Sequence, residues 1–256
     1  MFLLLTAFSF ALFACGDVHA KKLHHIIGGT AAKKCEVPYI AVVYVKRGAK
    51  GFLCGGSFID DRHVLTAAHC LEGDEVTATV IYDFLDIHSP KAIARISEYA
   101  IHPEFNINNS SVLNDIAVIT LKKAIKFSDC VKPIRLASSN EEFIGDCKAA
   151  GWGKTNGIQS SSSDKLLFVD IPLVDEESCN ENGANVNEQH ICAGEMKAMG
   201  KTTCQGDSGG PLACTSADDG ETVLAGITSY GWECTNGLSV FTRVSYFKEW
   251  IENELN

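Results

Sequence analysis

Much is missing from this 256-residue chain. No segment repeats along its length, which excludes a solenoid or propeller of visible repeats. No heptad pattern runs through it, so no coiled coil is expected. Beyond the first 13 residues no apolar run approaches the ~20 residues that a membrane-spanning helix needs. Its cysteines are widely spaced and fit no zinc-finger pattern. Basic charge is in deficit, with 22 Lys and Arg against 32 Asp and Glu. Two of the basic and one of the acidic side chains (Lys21, Lys22 and Asp17) precede Ile26, so the chain from Ile26 onward carries a net charge of −11. A field of that sign disfavours nucleic acid and anionic membrane as partners, and it favours solubility.

What is present begins with 11 cysteines. That is too many for an ordinary cytosolic protein and points to disulfides made in an oxidising compartment. The N-terminus agrees. Residues 2–13 are almost unbroken apolar sequence, and the small residues Ala14, Gly16 and Ala20 follow. The stretch reads as a secretory signal peptide over residues 1–16, its end falling between 14 and 20, with residues 17–25 as a propeptide. A membrane anchor is the rival reading, but the run is short for a bilayer. A lipoprotein signal at Leu12-Phe13-Ala14-Cys15 is opposed by the bulk of Phe13. The expected localisation is secreted and extracellular.

The rest of the chain is long enough to bury a large core, in one unit or two. Residues 77–81, 92–97, 116–121 and 223–230 are short runs rich in Val, Ile and Thr, and they read as strands. Pieces rich in Gly, Asn, Asp, Ser and Lys separate them, such as 46–51 and 157–164. Only residues 244–255 have helical spacing, through Val244, Phe247, Trp250, Ile251 and Leu255. An all-β protein with one terminal helix is predicted. The pattern does not choose between sandwich and barrel.

Three motifs carry chemistry. They are Thr66-Ala67-Ala68-His69-Cys70, Asn114-Asp115-Ile116-Ala117-Val118 and Gly206-Asp207-Ser208-Gly209-Gly210-Pro211. Neutral serine is a poor nucleophile. An imidazole can take its proton and return it to the leaving amine, and a carboxylate behind the imidazole fixes the tautomer. The order His, Asp, Ser, with these flanks and an Ile26-Ile27-Gly28-Gly29 start, resembles the chymotrypsin/trypsin family of serine endopeptidases over residues 26 to 256. An α/β-hydrolase would place His last. The resemblance implies two antiparallel β-barrels with the active site between them. The first, 26–136, carries His69 and Asp115, and the second, 137–256, carries Ser208 and the C-terminal helix. It also implies Ser208 as nucleophile, His69 as general base and acid, and Asp115 as orienting carboxylate. The amides of Gly206 and Ser208 would form the oxyanion hole. Ser229-Tyr230-Gly231 resembles the segment that pairs with substrate backbone as an added strand.

The same resemblance implies an activation switch. A cut before Ile26 would free an ammonium group to pair with Asp207. His25 stands where the family usually carries Arg or Lys, so the activator is expected not to be trypsin-like. Lys21-Lys22 offers an alternative first cut, followed by trimming. In the pocket, Thr202 stands six residues before Ser208, where trypsin-like members carry Asp. Ser239 stands where members often carry Gly, Thr203 adds a hydroxyl, and Gly231 leaves the entrance open. A chymotrypsin- to elastase-like preference for Leu, Phe, Tyr or Met is expected over Arg or Lys.

The implied disulfides are Cys54–Cys70, Cys147–Cys214, Cys179–Cys192 and Cys204–Cys234. Cys35 and Cys130 match no standard family bridge. They either pair with each other, or Cys130 tethers Cys15 and leaves Cys35 free. Asn108 and Asn109 head overlapping glycosylation sequons. Glu72, Asp74 and Glu75 do not form the acidic cluster that binds calcium in trypsins, and no metal or cofactor is expected. Expected partners are peptide and protein substrates, with serpin or Kunitz-type inhibitors, and a monomer. The rival reading is a catalytically silent binding or toxin-like protein on a protease scaffold.

Overall fold

A computed structural model describes residues 26–108, 111–154, 161–231 and 234–255. The signal and propeptide readings, and the sequon residue Asn109, lie outside the described residues. The chain is mostly strand. Six strands close a first barrel: β1 (Ile40–Arg47), β2 (Lys50–Phe58), β3 (His63–Thr66), β4 (Val76–Tyr82), β5 (Ala92–Ile101) and β6 (Ala117–Leu121), in the ring order β1-β2-β3-β6-β5-β4. β-branched residues line its interior. Val42, Val43, Val45, Val64, Val80 and Ile119 are almost fully buried. The sequence reading of 46–51 as a loop shrinks to two residues, because β1 and β2 run on to a tight turn at Gly48, whose φ of 58° suits glycine.

The second half is built from β7 (Phe143–Gly151), β8 (Leu167–Ile171), β9 (Leu173–Val174), β10 (His190–Ala193), β11 (Pro211–Ser216), β12 (Thr222–Tyr230) and β13 (Ser239–Arg243). The paired order is β8-β7-β11-β12-β13-β10-β9. By strand pairing this is an open, curled sheet, a half-barrel beside the closed first barrel, and together they make the two-barrel fold that the resemblance implied. The reason for the opening is local. β8 and β9 are one run of chain interrupted at Pro172, which has no N–H to give to a ladder. The Pro172 carbonyl still accepts from Gly194 N–H at 2.9 Å, so the curled sheet meets itself there.

Three segments cross between the halves. A two-residue strand, Thr30–Ala31, pairs with β8, and Arg135–Leu136 runs parallel to β12. The C-terminal run begins as a 3-10 turn, Val244–Phe247, and continues as helix Lys248–Glu254. Its buried Val244, Phe247 and Ile251 join the core of the first half. A short helix, Glu176–Glu181, has no counterpart in the sequence reading, because six residues are too few to show a period. It is set by its N-cap, Asp175, which accepts from Ser178 N–H at 2.8 Å.

All ten described cysteines are paired, including Cys35–Cys130. That pairing excludes the Cys15–Cys130 tether. Cys35–Cys130 spans a sequence separation of 95. Replacing both cysteines by Ser is expected to lower the unfolding free energy by roughly 4 kcal/mol, chiefly by freeing the unfolded chain. Denaturant unfolding of the double variant checks this.

Candidate active site

The site is assembled by backbone contacts before any side chain acts. β3 leads into a single helical turn, Ala68–Leu71, whose Ala68, Cys70 and Leu71 are buried. The Cys54–Cys70 disulfide and the Thr66 hydroxyl, which donates to Gly55 O at 2.8 Å, fasten this turn to β2. His69 is thereby left with little freedom. Asp115 is presented from the other side by Asn114, which takes φ 52°, a conformation that Asn tolerates better than most residues.

Asp115 is 1% exposed. Its Oδ1 accepts from the His69 backbone N–H at 2.9 Å, and its Oδ2 lies 2.8 Å from His69 Nδ1. The Ser229 hydroxyl donates to the same Oδ2 at 2.5 Å. A carboxylate can only accept, so Nδ1 carries the proton and Nε2 keeps its lone pair. Burial alone would raise the Asp115 carboxyl, but the His69 charge and the hydrogen bonds from His69 and Ser229 outweigh it and hold it below the usual range. Burial alone would lower the His69 imidazole, but the Asp115 charge and hydrogen bond raise it above its ordinary value. The pair is thus poised to hold a positive imidazole when one forms.

A clamp from the second half fixes the Asp115 segment, and sequence reasoning did not see it. Thr242 Oγ1 donates to Asp115 O at 2.8 Å, and Asn114 N–H donates to Gln189 Oε1 at 3.1 Å. His190 accepts Asn187 N–H on Nδ1 at 3.2 Å, so Nε2 holds the proton and gives it to Val112 O at 2.8 Å. Burial holds the His190 imidazole below its ordinary pKa. Nothing in the sequence distinguishes His190 from the seven other histidines.

Ser208 arrives on a tight turn just before β11. Gly55 N–H donates to Ser208 O at 2.7 Å, Gly209 N–H to Thr228 O at 2.8 Å, and Gly210 N–H to Asp207 O at 2.9 Å. Gly206 and Gly209 take φ of 99° and 76°. A Cβ on Gly209 would fall 2.2 Å from Thr66 Oγ1 and 3.1 Å from Ala67 N, so only glycine lets this turn press against the segment that carries His69. The N–H groups of Gly206 and Ser208 donate to no described residue. No hydrogen bond joins Ser208 Oγ to His69, a looseness common in catalytic sites without bound substrate.

Asp207 points the other way. It is fully buried and accepts from Cys204 N–H on Oδ2 and from Gly153 N–H on Oδ1, both at 2.9 Å. Burial pushes its carboxyl up to about 6, and these two bonds offset only part of the rise. Cβ atoms on Gly151 and Gly153 would land 2.1 and 2.5 Å from the carboxyl group, so the two glycines form its cradle. The Gly151-Trp152-Gly153 spacing was the available sequence signal for it. Ile26 is wholly buried in the second half's core beside Cys147, Leu167 and Leu212. Ile27 O accepts Thr202 N–H at 3.3 Å.

Beside Ser208 opens a cavity of about 200 Å³ whose lining includes Thr203, Tyr230, Gly231 and Ser239. The Ser239 hydroxyl lies 2.6 Å from Thr202 Oγ1 and 2.7 Å from Thr203 Oγ1, and all three residues are buried. Thr202 is not itself in the lining and reaches the cavity only through Ser239. A Cβ on Gly231 would stand 4.0 Å from Ser239 Oγ. Ser229, predicted beside the substrate, turns its side chain to Asp115, and Tyr230 stands edge-on to His190.

Cys54, His69 and Cys70 have ligand atoms within 4.8 Å of one another, but the two sulfurs are joined as a disulfide and offer no thiolate. Glu72, Asp74 and Glu75 are exposed. Asn108 is exposed, and its Oδ1 accepts from Ser111 N–H at 2.9 Å.

The profile of the family described as Trypsin matches residues 26–251. Mast cell protease 3 of Ovis aries is 35% identical over 234 residues, covering 90% of this chain and 89% of that protein. Alkaline trypsin A of Manduca sexta is 33% identical over 267 residues, covering 99% of this chain and 98% of that protein. Phenoloxidase-activating factor 3 of Holotrichia diomphalia is 33% identical, covering 90% of this chain and 72% of that protein. With its barrel, its His–Asp pair and its glycine-bound serine turn, this chain belongs to the trypsin family of serine proteases.

Proposed function

We propose that the protein is a secreted endopeptidase, made as a precursor cut before Ile26, that cleaves after apolar residues. In this reading Ser208 Oγ attacks the substrate carbonyl while His69 Nε2 takes its proton. Asp115 stabilises the imidazolium, and the N–H groups of Gly206 and Ser208 receive the developing oxyanion. His69 then protonates the leaving amine, and water repeats the cycle on the acyl-enzyme. Extended substrate backbone lies along Ser229, Tyr230 and Gly231.

The observation that carries the specificity is the trio of hydroxyls of Thr202, Thr203 and Ser239. They bond to one another at 2.6 and 2.7 Å and bring no charge to the pocket. A guanidinium entering it would lose water and gain no carboxylate, at a cost of several kcal/mol. An apolar side chain loses nothing comparable.

A peptide series that differs only at the residue before the scissile bond tests this, using Arg, Phe, Leu and Ala. The enzyme is the chain cut before Ile26, with Ser208→Ala as the blank. Phe or Leu is expected to exceed Arg in kcat/KM by at least roughly 100-fold, a factor of ten for each 1.4 kcal/mol. Cleavage mainly after Arg would refute the pocket reading and leave the triad standing. No cleavage, with no labelling of Ser208 by a sulfonyl fluoride, would make the chain a silent scaffold.

A further inference from the structure

A cavity lies away from the catalytic cleft, on the outer wall of the first barrel. It is a groove of about 1000 Å³ between the start of β5 and the segment that follows β6. Arg95, Lys122, Lys123 and Lys126 line it, with Asp83 as the single acidic group. Among the described residues none of these four cations is in a salt bridge, whereas Lys132, Arg135, Lys148, Lys197 and Lys201 all are. Four unneutralised cations around one groove repel one another, and they do so in a molecule whose net charge is −10. The groove is also apolar. Ile93 is 64% exposed and Phe127 45% exposed, and both face it, above the buried Ile125 and Val131.

We propose that this groove is a docking site for a short acidic segment of a partner protein that carries one large apolar side chain. Charge complementarity argues for acid. Ile93 and Phe127 argue for a peptide rather than a sugar chain, because a polysaccharide would leave that apolar surface without a counterpart. The net charge argues for a short segment. Screening limits the groove's field to about 8–10 Å, and a long polyanion or an anionic membrane would run onto acidic surface beyond that range. The site is distinct from the cleft. Asp115 precedes β6 and Lys122 follows it, seven residues on, which is about 23 Å of strand.

Binding is measured by fluorescence anisotropy on the Ser208→Ala chain, so that the result does not depend on hydrolysis. The probe is a labelled peptide of about eight residues that alternates Asp and Glu around one Phe. Binding is expected to weaken steeply with salt. The triple variant Lys122→Glu, Lys123→Glu and Lys126→Glu is expected to lower affinity at least tenfold, and Phe127→Ala or the removal of Phe from the peptide several-fold each. All these side chains are exposed, so the variants should fold, and circular dichroism checks that they do. Three results would overturn the proposal: no saturable binding, binding unchanged by charge reversal, or equal binding of an all-acidic peptide without Phe. Tighter binding of a sulfated oligosaccharide than of the peptide would also overturn it and make the groove a polyanion site.

Discussion

Asp115→Asn is expected to lower kcat on peptide substrates by on the order of 10⁴, the size of effect seen for this swap in the family, with the fold retained. The loss follows from proton bookkeeping at three atoms. In the native site both Asp115 oxygens only accept. One takes the His69 backbone N–H, and the other takes His69 Nδ1–H and the Ser229 hydroxyl. An Asn side chain has one accepting oxygen and one donating nitrogen. If the oxygen keeps the backbone N–H, the NH₂ group faces Nδ1 and can be satisfied only by a lone pair there. The proton then moves to Nε2, and the imidazole can no longer take the proton of Ser208. Geometry changes little, because amide and carboxylate have nearly the same shape. The measurement is kcat and kcat/KM on one peptide series, alongside a thermal melt. Activity above about one-tenth of the native value would show that Asp115 is not the orienting carboxylate. A second readout is pH dependence. His69 must be neutral to act as base, and Asp115 raises its pKa. Activity of the native enzyme should therefore fall on acidification at a pH above the ordinary histidine value of about 6.5, and this limb should move to lower pH in the variant.

How far the sequence alone reached follows from what each residue does. His69, Asp115 and Ser208 stood in motifs because each has dense local constraints. The Ser208 turn needs its glycines, and the turn at His69 needs small buried neighbours. The strands at 77–81 and 223–230 were visible because their β-branched residues face a core. The second sheet's break at Pro172 was not visible, since closure depends on which strands meet and not on composition. His190 and Gln189 were invisible for the same reason. They act on Val112 and Asn114 from 78 and 75 residues away. The basic groove was hidden by averaging. A net charge of −10 describes the whole molecule, while Lys122, Lys123 and Lys126 gather with Arg95 only when β5 and β6 pair.

Cutting the chain before Ile26 is expected to raise kcat/KM by about 10²–10⁴, because it stabilises the turn that supplies two oxyanion donors, each typically worth about 10²–10³. The argument rests on Asp207. In the uncut chain its carboxyl is fully buried and held by two backbone N–H groups, and its pKa is raised to about 6. A carboxyl whose folded pKa exceeds its unfolded value near 3.8 favours folding below pH 4, and that contribution is lost as pH rises through 6. The loss is about 3 kcal/mol, and it falls on the very turn that carries Gly206 and Ser208. A new ammonium group at Ile26 would reverse the sign by pairing with the charged carboxylate. The docking path is already in place, since Ile26 is buried in the core and Ile27 is bridged to Thr202. Ile26 also takes φ 48°, which costs a β-branched residue about 1–3 kcal/mol, and scission abolishes that torsion. Melting curves from pH 4 to 7 separate the two states. The uncut chain should lose stability across that window, while the cut chain should hold it and gain activity. Asp207→Asn should flatten the uncut profile and remove most of the gain on cutting. Equal pH profiles for cut and uncut protein, or full activation of Asp207→Asn, would show that Asp207 is not the switch.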